Sequence, residues 1–136
     1  MIKISDTEYF SNDGTIRFLN MDCNEFMKGL KDNEFDLCHN DPPYGIGEDG
    51  SKNHTRSKIA KSKDYKAYSG NDSKAPDLHH FDLVKMKCKN MIVWGANHFI
   101  NRMPWASPCW IVWDKLNGDS DFADCELAWT SFPSAV

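Results

Sequence analysis

The residues best suited to chemistry are Asn40-Asp41-Pro42-Pro43-Tyr44-Gly45, directly after the apolar run Phe35-Asp36-Leu37-Cys38-His39. Two consecutive prolines stiffen the backbone, withdraw two N–H donors and leave their carbonyls free to accept. A carboxylate precedes them and a phenol follows. Together these groups can clamp a planar ring that bears an exocyclic amine. Asp41 and a proline carbonyl accept the two amine hydrogens, and Tyr44 stacks on the ring. The plainer reading of the same residues is a rigid turn that ends a strand, with Asp as its cap.

A second feature follows at once. Gly45-Ile46-Gly47-Glu48-Asp49-Gly50 satisfies G-x-G-x-x-G after a strand, as a dinucleotide fingerprint does. Ser51 to Lys58 is polar and offers no amphipathic helix, and Glu48 and Asp49 would repel a pyrophosphate. The glycines are therefore read as the start of a long loop, residues 45–76. Between Gly50 and Lys66 that loop carries Lys52, Arg56, Lys58, Lys61, Lys63 and Lys66 against the single acid Asp64, a net +5 in a chain whose total is −4. Tyr65 and Tyr68 interleave with the charge, a composition suited to phosphate contact and base stacking, although a solvated surface loop has the same look.

Elsewhere the candidates thin out. His39, His79, His80 and Cys88 lack a compact metal-ligand spacing, so no metal is expected. His98, after Gly95-Ala96-Asn97, is read as a helix-surface residue, with lining the pocket as the alternative. The five cysteines form no C-x-x-C pair, and Cys38, Cys109 and Cys125 lie in apolar stretches, the pattern of reduced thiols in a cytoplasmic protein. The start, Met1-Ile2-Lys3-Ile4-Ser5-Asp6, turns polar too early for a signal peptide, and no apolar run reaches a membrane span.

The elements that must position these groups can be read from periodicity. Strands are expected over 15–20, 35–39, 91–94, 109–113 and 124–131, and helices after Asp22, over 77–89 and over 96–101. Asp22 with Glu25 forms a capping-box pattern. At 136 residues, 40% of them hydrophobic, the chain is read as a single domain with one core. Strands alternating with helices imply an α/β fold with a mostly parallel sheet.

Asp41-Pro42-Pro43-Tyr44 resembles the catalytic tetrapeptide of the amino-methylating DNA methyltransferases, which act on adenine N6 or cytosine N4. Asn20-Met21-Asp22-Cys23 with Met27, Leu30 and Asp36-Leu37 is similar to that family's lead-in. Val93 to Phe99, Trp110 to Lys115 and Phe122 to Thr130 are similar to its later sheet segments. The likeness covers roughly residues 15–131 and is closest to phage and prophage adenine enzymes.

The resemblance implies a partial Rossmann-like, S-adenosylmethionine-dependent methyltransferase fold and methyl transfer to the amine of a flipped base in DNA. Asp41, Pro42, Pro43 and Tyr44 would be the catalytic set. Asp41, and Asp22 near the adenosine, would face the cofactor. The six cations of the basic loop would contact DNA. An Asp-Pro-Phe-x-Gly-x-Gly loop and a His-Pro-x-x-Lys-Pro segment, which the family places further along, do not occur here. The chain thus resembles a truncated front half lacking most of the S-adenosylmethionine pocket, inactive alone, with an incomplete sheet whose edge favours a homodimer. Rival readings are cytosine-N4 or glutamine-amide methylation and a catalytically silent DNA-binding or interaction module. Relatives that modify amides usually carry Asn at the Asp41 position. If the loop meets phosphates, Lys58→Glu with Lys61→Glu weakens binding to DNA of any sequence. Each phosphate no longer neutralised flattens the log–log salt dependence by about 0.9. Fluorescence anisotropy across a salt series measures both.

Overall fold

A computed structural model describes residues 1–49, 72–116 and 123–134. The chain divides into two compact units, Met1–Lys31 and Asp32–Val136. The basic loop cations Lys52, Arg56, Lys58, Lys61, Lys63 and Lys66 lie outside the described residues.

The first unit is an antiparallel three-stranded meander followed by a short helix. Strands β1 (Ile2–Lys3), β2 (Glu8–Phe10) and β3 (Arg17–Leu19) pair in that order. Arg17 Nε donates to Glu8 Oε1 at 2.7 Å across β2 and β3, and its guanidinium lies 5.9 Å from the centre of the Phe26 ring. Helix α1 (Cys23–Lys28) starts where the Asp22 carboxylate accepts the N–H groups of Asn24 and Glu25, at 2.8 and 3.1 Å. Glu25 pairs with Lys28 on the next turn, at 2.6 Å.

The second unit holds the larger sheet. Strands β4 (Phe35–Asn40), β5 (Cys88–Trp94), β6 (Trp110–Asp114) and β7 (Cys125–Thr130) stand in the order β4-β5-β7-β6. Helix α2 (Leu78–Lys87) connects to β5 without a linker. Its N-terminus is capped by Asp77, whose carboxylate accepts the His80 N–H at 3.1 Å. Phe81 and Val84 on α2 are buried, as are Met91 and Val93 on β5 and Trp129 on β7. Alternation along β5 turns Met91 and Val93 to one face and leaves Ile92 and Trp94 half-buried on the other. Phe81 stacks on Phe99, with ring centroids 5.3 Å apart. Trp129 Nε1 donates to the Trp105 carbonyl at 3.2 Å, and the Thr130 hydroxyl donates to the Cys109 carbonyl at 2.8 Å. The core is thus built around β5 and β7, the two interior strands.

This architecture corrects the expected fold class. A mostly parallel, Rossmann-like α/β sheet is not what forms. Of the five strand pairings, β4 with β5 alone is parallel, the strands fall into two sheets, and the described residues contain only two short α-helices. A parallel return needs a crossover of a dozen or more residues, which the segment from Asp41 through α2 provides between β4 and β5. After β5 the expected helix over 96–101 is replaced by two 3₁₀ turns, Ala96–His98 and Ile100–Arg102. This segment still returns the chain to β6, which runs the same way as β5, but the two do not pair because β7 enters antiparallel between them. Two smaller corrections follow. The thiol that the core encloses is that of Cys88, whereas Cys125 is exposed. Within the helix expected over 77–89, the apolar residues Leu78 and Met86 are exposed, because the buried face centres on Phe81 and Val84.

Phe81 is fully buried and sits at the joint of α2, β5 and the first 3₁₀ turns. Phe81→Ala is expected to cost about 3–5 kcal/mol, read as a fall in the urea midpoint with the slope unchanged.

Candidate functional site

Strand directions decide where a site can form. With β4 parallel to β5, and β7 antiparallel to both β5 and β6, strands β4, β5 and β6 all run the same way. Their carboxyl ends therefore meet at one edge of the sheet, beside the start of β7. That edge gathers residues 41–44 after β4, residues 95–98 after β5, Lys115 after β6, and residues 125–127 opening β7.

Two clefts open there. One, of about 390 Å³, is lined by Asp41, Pro42, Pro43, Tyr44, Asp72 and Glu126, among others. The second, of about 520 Å³, includes Asn97, His98, Lys115, Cys125 and Leu127. Tyr44 and Glu126 border both. The structure therefore brings the Asp-Pro-Pro-Tyr residues together in an open cleft, with Pro42 buried beneath and Asp41 exposed at the rim.

Tyr44 is the most constrained of the four. Its hydroxyl donates to Asp41 Oδ1 at 2.9 Å. Its ring stacks on His98, with centroids 5.3 Å apart and planes at 17°. Gly95, at φ +65°, lies against the same ring, where an added Cβ would stand 2.2 Å from the ring carbon Cε1. Only glycine permits that approach, both for space and for backbone conformation. Burial, reinforced by the hydrogen bond to Asp41 and that carboxylate's charge, pushes the Tyr44 phenol well above its ordinary range. His98 is exposed on its 3₁₀ turn and is also a wall of the second cleft.

The strand before the tetrapeptide is pinned on both faces. Asn40 Nδ2 donates to His80 Nε2 of α2 at 2.8 Å, and Trp94 Nε1 of β5 donates to His39 Nε2 at 2.6 Å. His39 and His80 therefore serve as acceptors within the fold. Lys115 pairs with Glu126 across β6 and β7 and lies 5.5 Å from the centre of the Trp113 ring. No group of three or more His, Cys, Asp or Glu that could hold a metal ion occurs among the described residues.

The G-x-G-x-x-G stretch serves a purpose that its spacing does not disclose. Gly45 and Gly47 have φ of +75° and +67°. Their loop turns its amides toward the carboxylate of Asp72, a residue that no motif or spacing singles out. Asp22, the other acid expected near a cofactor, spends its carboxylate on the α1 cap. Carboxylates of Asp41, Glu48, Asp72 and Glu126 line the first cleft. Such a lining favours an amine or a cation over a phosphate.

No protein-family model and no curated protein matches the chain. Among the described residues, no helix is long and apolar enough to cross a membrane.

The phenol contact makes a pH prediction. A phenol whose pKa is raised on folding stabilises the native state below its unfolded value, near ~10. That stabilisation declines as pH rises past that value toward the folded one. In an ultraviolet titration of the four tyrosines, Tyr44 is expected to ionise last. Asp41→Asn should bring it earlier, and Tyr44→Phe should delete the late phase. A late phase that survives in Tyr44→Phe belongs to another tyrosine.

Proposed function

We propose that this chain carries the amine-binding part of an adenine-N6 DNA methyltransferase, the class its Asp-Pro-Pro-Tyr tetrapeptide and later segments resemble. The observation that carries the reading is the open, acid-lined cleft of about 390 Å³ formed by Asp41, Pro42, Pro43 and Tyr44 at the carboxyl end of β4. Its volume falls in the ~300–1,000 Å³ range of small-ligand sites. The cleft is not packed shut, and its acidic lining suits an exocyclic NH₂.

In this reading a base leaves the duplex stack and presents its amine to the Asp41 carboxylate and the Pro42 carbonyl. Both groups accept hydrogen bonds, which orients the nitrogen lone pair outward. Asp41 would also offset positive charge on that nitrogen. Holding the amine in one orientation is where much of the rate would arise, since alignment of two reactants can supply ~7–11 kcal/mol. S-adenosylmethionine would supply the methyl group from a sulfonium centre. The described residues do not fit its amino-acid end well. Lys115 is paired with Glu126, and the amides of the loop after Tyr44 are engaged by Asp72, so neither is available to a carboxylate.

The basic loop complements the acidic cleft. Residues 45–48 and Asp72, which flank the cationic stretch in sequence, are hydrogen-bonded to each other beside the cleft. The chain between these two anchors carries the six cations from Lys52 to Lys66. A cationic composition of this kind suits contact with a DNA backbone.

A comparison of single-stranded oligonucleotides tests the reading directly. One contains a single adenine, and the other has purine, which lacks the amino group, at that position. The chain is expected to prefer adenine by about tenfold or more, the cost of leaving a carboxylate acceptor unpaired. Asp41→Ala should erase the preference and leave the far-ultraviolet circular dichroism unchanged. Equal affinity for the two oligonucleotides overturns the assignment.

A further inference from the structure

The loop that follows Tyr44 is wound around one carboxylate. Gly45 N–H donates to Asp72 Oδ1 at 2.9 Å and Glu48 N–H to Asp72 Oδ2 at 3.0 Å. Gly47 N–H donates to the Asp72 main-chain carbonyl at 2.8 Å. Asp72 thus collects the amides of Gly45, Gly47 and Glu48, two on its carboxylate and one on its main-chain carbonyl. Burial opposes its ionisation, but the N–H groups outweigh that effect and hold the carboxyl below its usual range.

The segment that presents Asp72 is itself anchored. Arg102 Nη1 donates to the carbonyls of Ala75 and Pro76, at 3.0 and 2.6 Å. Ala75 is buried, and a Cβ on Gly45 would meet the Ala75 nitrogen at 2.6 Å, so the two backbones are in direct contact. Asp77, next in the chain, caps α2. Contacts therefore run without a gap from the α2 terminus and Arg102 through residues 72–76 to the loop, and from the loop to Tyr44 and Asp41.

We propose that Asp72 is a positioning residue for the amine site. By gathering the amides of Gly45, Gly47 and Glu48 it fixes the backbone directly after Tyr44, and so keeps the phenol on Asp41 and the cleft open. It acts through Tyr44 rather than on a ligand. The inference rests on the reading of Asp41 and Tyr44 as the groups that receive an amine. It also accounts for the glycine pattern: the amides of Gly45 and Gly47 serve an internal acid rather than a bound pyrophosphate.

The test compares Asp72→Ala and Asp72→Asn with the unaltered chain by three measurements: thermal midpoint, ultraviolet titration of Tyr44, and adenine-over-purine preference with the two oligonucleotides. In Asp72→Ala the Tyr44 phenol is expected to ionise earlier, near its ordinary ~10, and the adenine preference to fall about tenfold. Asp72→Asn keeps one acceptor oxygen and should lie between. A purely structural Asp72 would lower the midpoint but leave the Tyr44 titration and the preference unchanged, and that result overturns the proposal. If Asp72→Ala does not fold, Asp72→Asn decides by the same criteria. An unaltered chain with no adenine preference defeats the amine reading alone, because the Tyr44 titration still reports whether Asp72 positions the phenol.

Discussion

The contact on which the site depends is the Tyr44 ring lying against Gly95. It joins the segment after β4 to the segment after β5 with no side chain between them. A methyl group at Gly95 would overlap the ring carbons, and L-residues seldom adopt the φ of +65° found there. Tyr44 in turn carries two relations outward from that contact, a hydrogen bond to Asp41 and a stack on His98. Moving the ring would therefore alter the rim of both clefts together, since Tyr44 borders each.

The sheet makes that contact possible by setting strand directions. Since β7 enters antiparallel between β5 and β6, three strand ends and one strand start share an edge. The same arrangement leaves β6 as an edge strand, with Ile111, Val112 and Trp113 exposed. Burial follows strand position. Trp129 and Val93 on the interior strands are fully enclosed, whereas Phe35 and Leu37 on the other edge strand, β4, are not.

Much of this is legible in the sequence, and the reasons for the gaps are physical. Asp22 and Asp77 announce helix starts because a cap is a local interaction, made within three residues. The apolar runs announce β4 to β7 because apolar and β-branched residues cluster along each strand's own length, whether the strand is interior, as β5 and β7 are, or at an edge, as β4 and β6 are. The β1–β2 hairpin is not visible, since its short strands carry no clear alternation and stay half-buried or exposed. Sheet pairing escapes for another reason. Alternating strands and helices predict a parallel sheet only if strands that run the same way also pair, and here β7 enters antiparallel between β5 and β6. At the site, the Asp-Pro-Pro-Tyr residues stand out because their chemistry sits in four adjacent positions. Asp72 does not, because the amides on its carboxylate lie 24 and 27 residues earlier in the chain. The nearest hint is the pair Gly45 and Gly47, whose positive φ has to serve some close approach.

The hydrogen bond between Asp41 and Tyr44 raises the question of whether an amine could enter at all, since the acid expected to accept it already accepts a phenol. That bond engages Oδ1 of a residue that also lines the cleft. A carboxylate has about four acceptor positions, and one neutral donor leaves most of them open. The arriving N–H exchanges bonds to water for a bond to Asp41 and need not break the phenol contact. The phenol then serves as a brace that keeps the carboxylate from rotating, which costs less than ordering a free side chain at the moment of binding. A stacked His98 is compatible with this, because it engages the ring system of Tyr44 and leaves the Asp41 oxygen untouched. Tyr44 is therefore better placed to hold Asp41 still than to act as an unencumbered stacking platform for a base.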